Sequence, residues 1–259
     1  MENVIKIRNL EFRYSLDEEN ILKDINLDIK KGQIIGYIGP NGAGKTTTIK
    51  LMLNLQSGYK GTIEIFGEDI SKNKTDYKTK IGYVPESGDL YENLTGFEIL
   101  EFFGKIYKIQ LDKLHNKIRS LATLLEIEKS LDEQISTYSK GMKQKILLIS
   151  ALLHNPDIII LDEPLNGLDA NSVQVLKTLL AKLAEAGKTI FYSSHLMDVV
   201  EKISDRIILI KDGKIIADGT FAQIQEQSKS GSLEGAFSHL TGFTKSEEVA
   251  DNFIKIIGD

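Results

Sequence analysis

Gly39-Pro40-Asn41-Gly42-Ala43-Gly44-Lys45-Thr46 has the residue types and spacing of a phosphate-binding loop. Its glycines let backbone N–H groups turn inward around phosphate oxygens, and a helix opening near Lys45 adds a partial positive charge of roughly half a unit. Lys45 is placed to neutralise terminal phosphates, and Thr46 to offer a hydroxyl to Mg²⁺. A second run, Ile158-Ile159-Ile160-Leu161-Asp162-Glu163, drives two adjacent carboxylates off the end of an apolar strand. In phosphoryl transfer the first acid of such a pair orders the Mg²⁺ shell, and the next polarises an attacking water. Alone, the hexamer reads as readily as two solvated strand-end acids; beside the loop it gains a purpose.

These groups need a scaffold, and the hydropathy pattern supplies one. From Val4 to Tyr14, and again at Ile25, Leu27 and Ile29, apolar residues alternate with polar ones, the period of half-buried strands. Gln33 to Ile38 is a continuous apolar run, expected as a strand buried on both faces that ends at Gly39 and feeds the loop. Gly61 to Gly67 alternates again and is expected at an edge of the N-terminal sheet. Between Leu90 and Leu153 the period becomes helical, with Phe97, Leu100, Phe103, Ile106 and Tyr107 spaced by three or four residues. Short buried-strand runs at 156–161 and 189–192 flank a helical stretch near 173–183, and strand–helix–strand order implies a parallel sheet. Asp212-Gly213 marks a hairpin between the last two strands, and 228–232 is a small polar linker. Thr244-Lys245-Ser246-Glu247 has capping-box spacing ahead of Val249, Phe253, Ile256 and Ile257, which would line a short helix docked on its own domain, with a partner-binding tail as the alternative.

Composition narrows the function classes. With 32 basic and 37 acidic residues the 259-residue chain has a formal net charge of −5, which excludes a nucleic-acid-coating protein by bulk charge. There is no cysteine, so neither a disulfide framework nor a thiolate metal site exists. The first ten residues lack a signal peptide's apolar stretch, and the longest nearly apolar run, Ile146 to Leu153, falls far short of the ~20 residues of a spanning helix. Neither secretion nor a membrane span is expected.

Taken together, the motifs resemble those of the ATP-binding subunit of ABC transporters, across nearly the whole chain. Tyr138-Ser139-Lys140-Gly141-Met142 is similar to the family's signature, Pro164-Leu165-Asn166-Gly167-Leu168-Asp169 to its D-loop, and Ser193-Ser194-His195 to its switch histidine. Ile81-Gly82-Tyr83-Val84-Pro85-Glu86 aligns with the Q-loop, and Tyr14 with an aromatic that stacks on adenine, although an aromatic on an alternating strand is also ordinary packing. The resemblance implies an α/β fold: a P-loop NTPase core with a mainly parallel sheet, an N-terminal antiparallel β subdomain and an inserted α-helical subdomain at about 88–153. It implies an ATP-binding domain over 1–240 and a C-terminal helical tail over 241–259. ATP and Mg²⁺ are the implied cofactors. Tyr14, Gly39, Asn41, Gly42, Ala43, Gly44, Lys45, Thr46 and Thr47 would bind nucleotide, and Thr46, Glu86 and Asp162 would hold the metal. Glu163 would act as general base, His195 as γ-phosphate contact and Glu86 as a further catalytic group. Ser139 and Gly141 of a second subunit would close over the ATP, with Asp169 linking the two sites. His115, His154 and His239 match no motif and are expected to be structural.

Two positions depart from the family pattern. Glu86 stands where the Q-loop has glutamine, and Lys140 where the signature has glycine. An ionised carboxylate can ligate Mg²⁺ but cannot donate a hydrogen bond as an amide does. Glu86 and Lys140 could offset each other's charge, and both resemble exporters of drugs and peptide antibiotics. The resemblance therefore implies a peripheral subunit on the cytoplasmic face of the membrane, paired as a homodimer or heterodimer and powering export through a transmembrane permease. Leu90, Tyr91 and Phe97 are candidates for the permease contact. A soluble assembly-scaffold ATPase and a regulatory subunit with little turnover are the competing readings.

Overall fold

The computed structural model describes residues 2–72 and 75–242, together with Phe253, Ile254, Ile256 and Ile257. Strands β1 (Asn3–Phe12) and β2 (Leu22–Lys30) pair antiparallel, as their alternating pattern requires. Next come β3 (Ile34–Ile38), α1 (Lys45–Met52), β4 (Lys60–Ile65), β5 (Glu68–Asp69) and β6 (Ile81–Val84). The helical block follows as α2 (Gly96–Ile106), α3 (Leu111–Leu124) and α4 (Lys140–Leu152). The chain then runs through β7 (Ile158–Leu161), α5 (Ala170–Glu185), β8 (Thr189–Ser193), α6 (Met197–Ile203), β9 (Arg206–Lys211) and β10 (Lys214–Gly219), and ends in α7 (Phe221–Ser228) and α8 (Leu233–Thr241).

Two sheets form, a four-stranded antiparallel one in the order β2-β1-β4-β5 and a six-stranded one in the order β10-β9-β3-β8-β7-β6. In the larger sheet only β10 runs antiparallel, joined to β9 through Asp212 and Gly213, both with positive φ as a primed hairpin turn demands. The continuous apolar runs have a direct cause. Ile35, Tyr37, Ile158, Ile160, Phe191, Ile208 and Ile210 face the small sheet and α1, while Ile34, Ile38, Ile159, Leu161, Ile190, Tyr192, Ile207 and Leu209 face a second core shared with α4, α5, α6, α7 and α8. The central strands are buried on both faces, so apolar residues fill their interiors, and β8 carries polar residues only at its two ends, Thr189 and Ser193.

Three expectations need correction. The strand expected at a sheet edge, β4, lies inside the small sheet, because Phe66 and Gly67 take positive φ and turn the chain back so that the short β5 pairs outside it. On the helical face, Leu100 is buried and Phe97 and Phe103 are partly so, but Ile106 is exposed, since the third core closes instead through Ile118, Leu131, Ile135, Ile146 and Ile149. Of the tail, Thr244 to Glu247 and Val249 lie outside the described residues, and Phe253, Ile254, Ile256 and Ile257 are exposed rather than docked. Among the described residues no helix is long and apolar enough to cross a membrane.

Helix α4 packs into both the helical block and the main core, and one of its contacts with the main core is tight. A Cβ added to Gly82 of β6 would meet the carbonyl oxygen of Ala151 at 2.2 Å. Gly82→Ala must push strand and helix apart, and is expected to cost about 1–3 kcal/mol, read as a lower urea midpoint with an unchanged slope.

Candidate active site

The phosphate loop leaves β3 at Gly39 and enters α1 at Lys45, with Gly44 as N-cap at φ 107°, a conformation that favours glycine. The Lys45 side chain folds under the loop, where Nζ donates to the carbonyl oxygens of Gly39 at 2.7 Å and Pro40 at 3.3 Å. Ala43, Thr47 and Thr48 are buried beneath it, and Thr48 Oγ1 donates to Gly44 O, tying the first turn of α1 to its cap. A cavity of about 460 Å³ opens above the loop, lined by Tyr14, Ile21, Asn41, Gly42, Gly44, Lys45, Thr46, Thr47, Glu86 and Glu163. Tyr14 lies beyond the end of β1 and is 53% exposed, edge-on to Phe12, with its hydroxyl 3.2 Å from Thr47 Oγ1. It is not core packing; its ring forms a wall of the cavity.

The two acids follow β7. Asp162 is 1% exposed; Oδ1 accepts from Ser193 Oγ at 2.6 Å, and Oδ2 is buried without a hydrogen-bond partner. Glu163 takes φ +49°, which costs a non-glycine residue of order 1 kcal/mol and persists only where the surroundings over-determine it. Its N–H donates to Ser193 Oγ at 2.9 Å, and its Oε2 lies 2.9 Å from His195 Nδ1. With a proton on Nδ1 the imidazole donates to that carboxylate. Burial first, then the charges of Asp162 and Glu86, push the Tyr83 phenol up to about 12.

The orphaned Asp162 Oδ2 and the Glu86 carboxylate at the cavity fit a divalent cation. Among the described residues no group of three or more side chains forms a metal cage. Mg²⁺ is ordinarily held by one or two carboxylates together with substrate phosphates and water, so a site without a cage suits it. Thr46 and Glu86 line the cavity above the phosphate loop together with Glu163, while Asp162 is buried behind that lining.

The signature and D-loop residues pack on each other and lie outside this cavity. Ser139 caps α4, accepting from Met142 N at 3.2 Å. A Cβ on Gly141 would meet Gly167 O at 2.8 Å, and one on Gly167 would meet the Lys140 stem at 2.9 Å. Lys140 thus lies over the D-loop of its own chain. Asp169 caps α5, its two carboxylate oxygens accepting from Ser172 N and Ser172 Oγ. Tyr138, which the motif leaves without a role, is buried and donates from its hydroxyl to Ser130 O, fixing the signature loop to the helical block. Gln144 Nε2 donates to Pro164 O at 3.2 Å, joining α4 to the residue after Glu163. Sequence reasoning missed Gln144 and quoted Ser193 only within the switch-histidine motif, without a role, although it is a polar residue closing an apolar strand.

The other histidines take structural places. His154 stacks on Tyr107 at 3.7 Å and meets Ile81 O through Nε2, and burial draws its pKa below the usual value. His115 meets Glu101 at 2.6 Å, and His239 lies in the last turn of α8.

The Ser172 amide, then the Ser172 hydroxyl, hold the Asp169 carboxyl below its ordinary pKa. Its capping contribution is complete above the ordinary aspartate value and lost as pH falls through the lower folded value. Asp169→Ala should lower the urea midpoint at neutral pH, and that difference should shrink in strong acid; a pH-independent difference would rule out the cap as its source.

Comparison with known proteins agrees with this geometry. The family described as ABC transporter matches residues 22–166. The chain is 33% identical over 270 residues to the bacitracin transport ATP-binding protein BcrA of Enterococcus faecalis, covering 99% of this chain and 84% of that protein. A structure of an ATP-binding subunit of an ABC transporter matches with a TM-score of 0.85 and 30% identity, covering 92% of this chain and 99% of the other. A dimeric ATP-binding cassette in a post-hydrolysis state, bound to ADP and Pi, matches with a TM-score of 0.77 and 28% identity, covering 83% and 98%. With the phosphate loop, the strand-end acids and the fold all in agreement, the chain belongs to the ABC transporter family as an ATP-binding, ATP-hydrolysing subunit that works with ATP and Mg²⁺.

Proposed function

We propose that this ATPase powers export through a separate transmembrane subunit, as one half of a dimer that closes on two ATP. One observation carries the coupling. A second cleft, of about 390 Å³, is lined largely by apolar side chains, among them Leu53, Leu55, Leu90, Phe103, Tyr107 and Leu147. Pro85 and Ser87 line this cleft, while Glu86 between them lines the nucleotide cavity. A helix of the transmembrane partner seated in the cleft would act directly on the chain that carries Glu86. Leu90 lines the cleft, Tyr91 beside it is exposed, and Phe97 packs into the helical core with Arg119 over its ring, which leaves Leu90 and Tyr91 as contacts. The export direction is supported by the likeness to a bacitracin transport protein, and the dimer by the dimeric cassette neighbour.

In this reading Lys45 leaves its loop carbonyls to hold the β- and γ-phosphates, Tyr14 stacks on the base, and Thr46, Asp162 and Glu86 would hold Mg²⁺. The bound metal supplies charge neutralisation for the phosphates. Glu163 Oε2 takes the proton of the attacking water, and His195 orients that carboxylate through Nδ1 and contacts the γ-phosphate. Ser139 and Gly141, outside their own cavity, are free to meet the partner's nucleotide, where the N-terminus of α4 favours an anion. Asp169 lies beside that junction. The working position is peripheral, on the cytoplasmic face of the membrane.

Glu163→Gln should reduce ATP turnover by about 10²–10⁴-fold and, with ATP present, accumulate a dimer by light scattering. Unchanged turnover removes Glu163 as the base. Expression of the chain with its genomic neighbours should co-purify an apolar membrane subunit; an ATP-driven dimer without one favours the scaffold reading.

A further inference from the structure

The mechanism uses Asp162, Glu163 and His195 but gives no part to Ser193, which is fully buried at the last position of β8. We propose that Ser193 is a positioning residue for hydrolysis: its hydroxyl presents the Asp162 carboxylate for the metal and pins the backbone from which Glu163 projects. The proposal rests on the reading of Asp162 as the Mg²⁺-shell acid and Glu163 as the base.

The hydrogen-bond chemistry leaves one arrangement. Ser193 Oγ lies 2.6 Å from Asp162 Oδ1 and 2.9 Å from Glu163 N. An ionised carboxylate can only accept and a backbone amide only donate, so the single hydroxyl proton goes to Asp162 and a lone pair receives Glu163 N–H. Both of the hydroxyl's commitments are therefore to the catalytic pair. On Asp162 this occupies Oδ1 and leaves Oδ2, buried and without a partner, as the remaining oxygen. On Glu163 it anchors the amide of a residue at φ +49°, while His195 Nδ1 meets the same residue's carboxylate. The end of β8 thus grips both acids that follow β7, one by its side chain and the other by its main chain. The parallel pairing of Leu161 with Tyr192 sets the two strand ends level, so that one small side chain reaches both. Leucine or valine there would satisfy the sheet, but not these polar atoms.

A hydroxyl that merely satisfies a buried strand end would affect folding; one that orients the acids would affect metal binding and turnover in a folded protein. The test uses the full chain with Ser193→Ala, with Asp162→Asn as the reference variant. In a Glu163→Gln background that retains ATP, Mn²⁺ serves as the metal probe, and its affinity is read by electron paramagnetic resonance. Nucleotide affinity in EDTA and the melting temperature are measured on the same samples. Ser193→Ala is expected to weaken Mn²⁺ binding on the order of 10–100-fold, the usual effect of removing the hydrogen-bond partner of a metal ligand. Without the Glu163 substitution it should lower kcat over a similar range with little change in KM. Nucleotide affinity in EDTA should stay at the unmutated value. Unchanged Mn²⁺ affinity in Ser193→Ala, with weakened affinity in Asp162→Asn, overturns the proposal for Ser193 alone. Unchanged affinity in both variants overturns the reading of Asp162 as well. Loss of nucleotide binding in EDTA overturns the proposal in favour of a folding role.

Discussion

The parallel register of β3, β8 and β7 is the constraint on which the rest of the structure depends. Tyr37 is level with Ser193, and Leu161 with Tyr192, so three strands leave the apolar interior at one edge. Parallel strands present all their carboxyl ends on the same side, and ligands of open α/β sheets bind there. The residues that follow each strand, Gly39 to Thr46, Asp162 to Glu163 and Ser194 to His195, therefore meet without any long-range search. The burial that makes this register obligatory also strips the strands of polar groups, so chemistry can begin only where they end.

Helix α4 ties that edge to the helical block. Its period of 3.6 residues sends Ile146, Ile149 and Leu153 at its end into the core of the block, and Leu147, Leu148 and Ala151 into the main core. It is a shared wall rather than a tether. Ser139 opens it, Gln144 holds Pro164, and Gly82 presses against Ala151, so a displacement of α4 is felt beside Glu163 at one end and at β6 at the other. The strand β6 leads into Pro85, Glu86 and Ser87, whose side chains divide between the apolar cleft and the nucleotide cavity. The two departures from the family pattern sit at the two ends of this linkage. The stem of Lys140 covers Gly167 of the D-loop in its own chain, and Glu86 lines the nucleotide cavity.

Much of this was legible in the residues. Continuous apolar runs identified the central strands because burial on both faces demands them, and glycines with a lysine at the mouth of a helix identified the phosphate loop because few other purposes need that combination. Other features were not legible. Alternation in Gly61 to Gly67 fits an inner strand as well as an edge, and only the turn at Phe66 and Gly67 decides between them. Tyr14 aligns with an adenine-stacking aromatic, but an aromatic on an alternating run is also ordinary packing, and only the fold shows the cavity beside it. A helical period at Ile106 does not say where the bundle runs out of neighbours, and the apolar spacing at Phe253, Ile256 and Ile257 does not say that those side chains are covered.

By itself the sequence determined the local chemistry: a loop whose φ angles require glycine, a lysine to meet phosphate, two adjacent acids after an apolar run, and a serine to cap the signature helix. Those depend on backbone conformation and side-chain type within a few residues, which sequence states outright. Only the tertiary structure decided which of these groups share a cavity, that Glu163 is held with a positive φ, and that Ser193 spends its one proton on Asp162 while receiving the next amide. Residues 162 and 193 lie on different strands, and their juxtaposition is set by strand order and register. Those follow from the packing of whole layers, and no spacing along the chain encodes them.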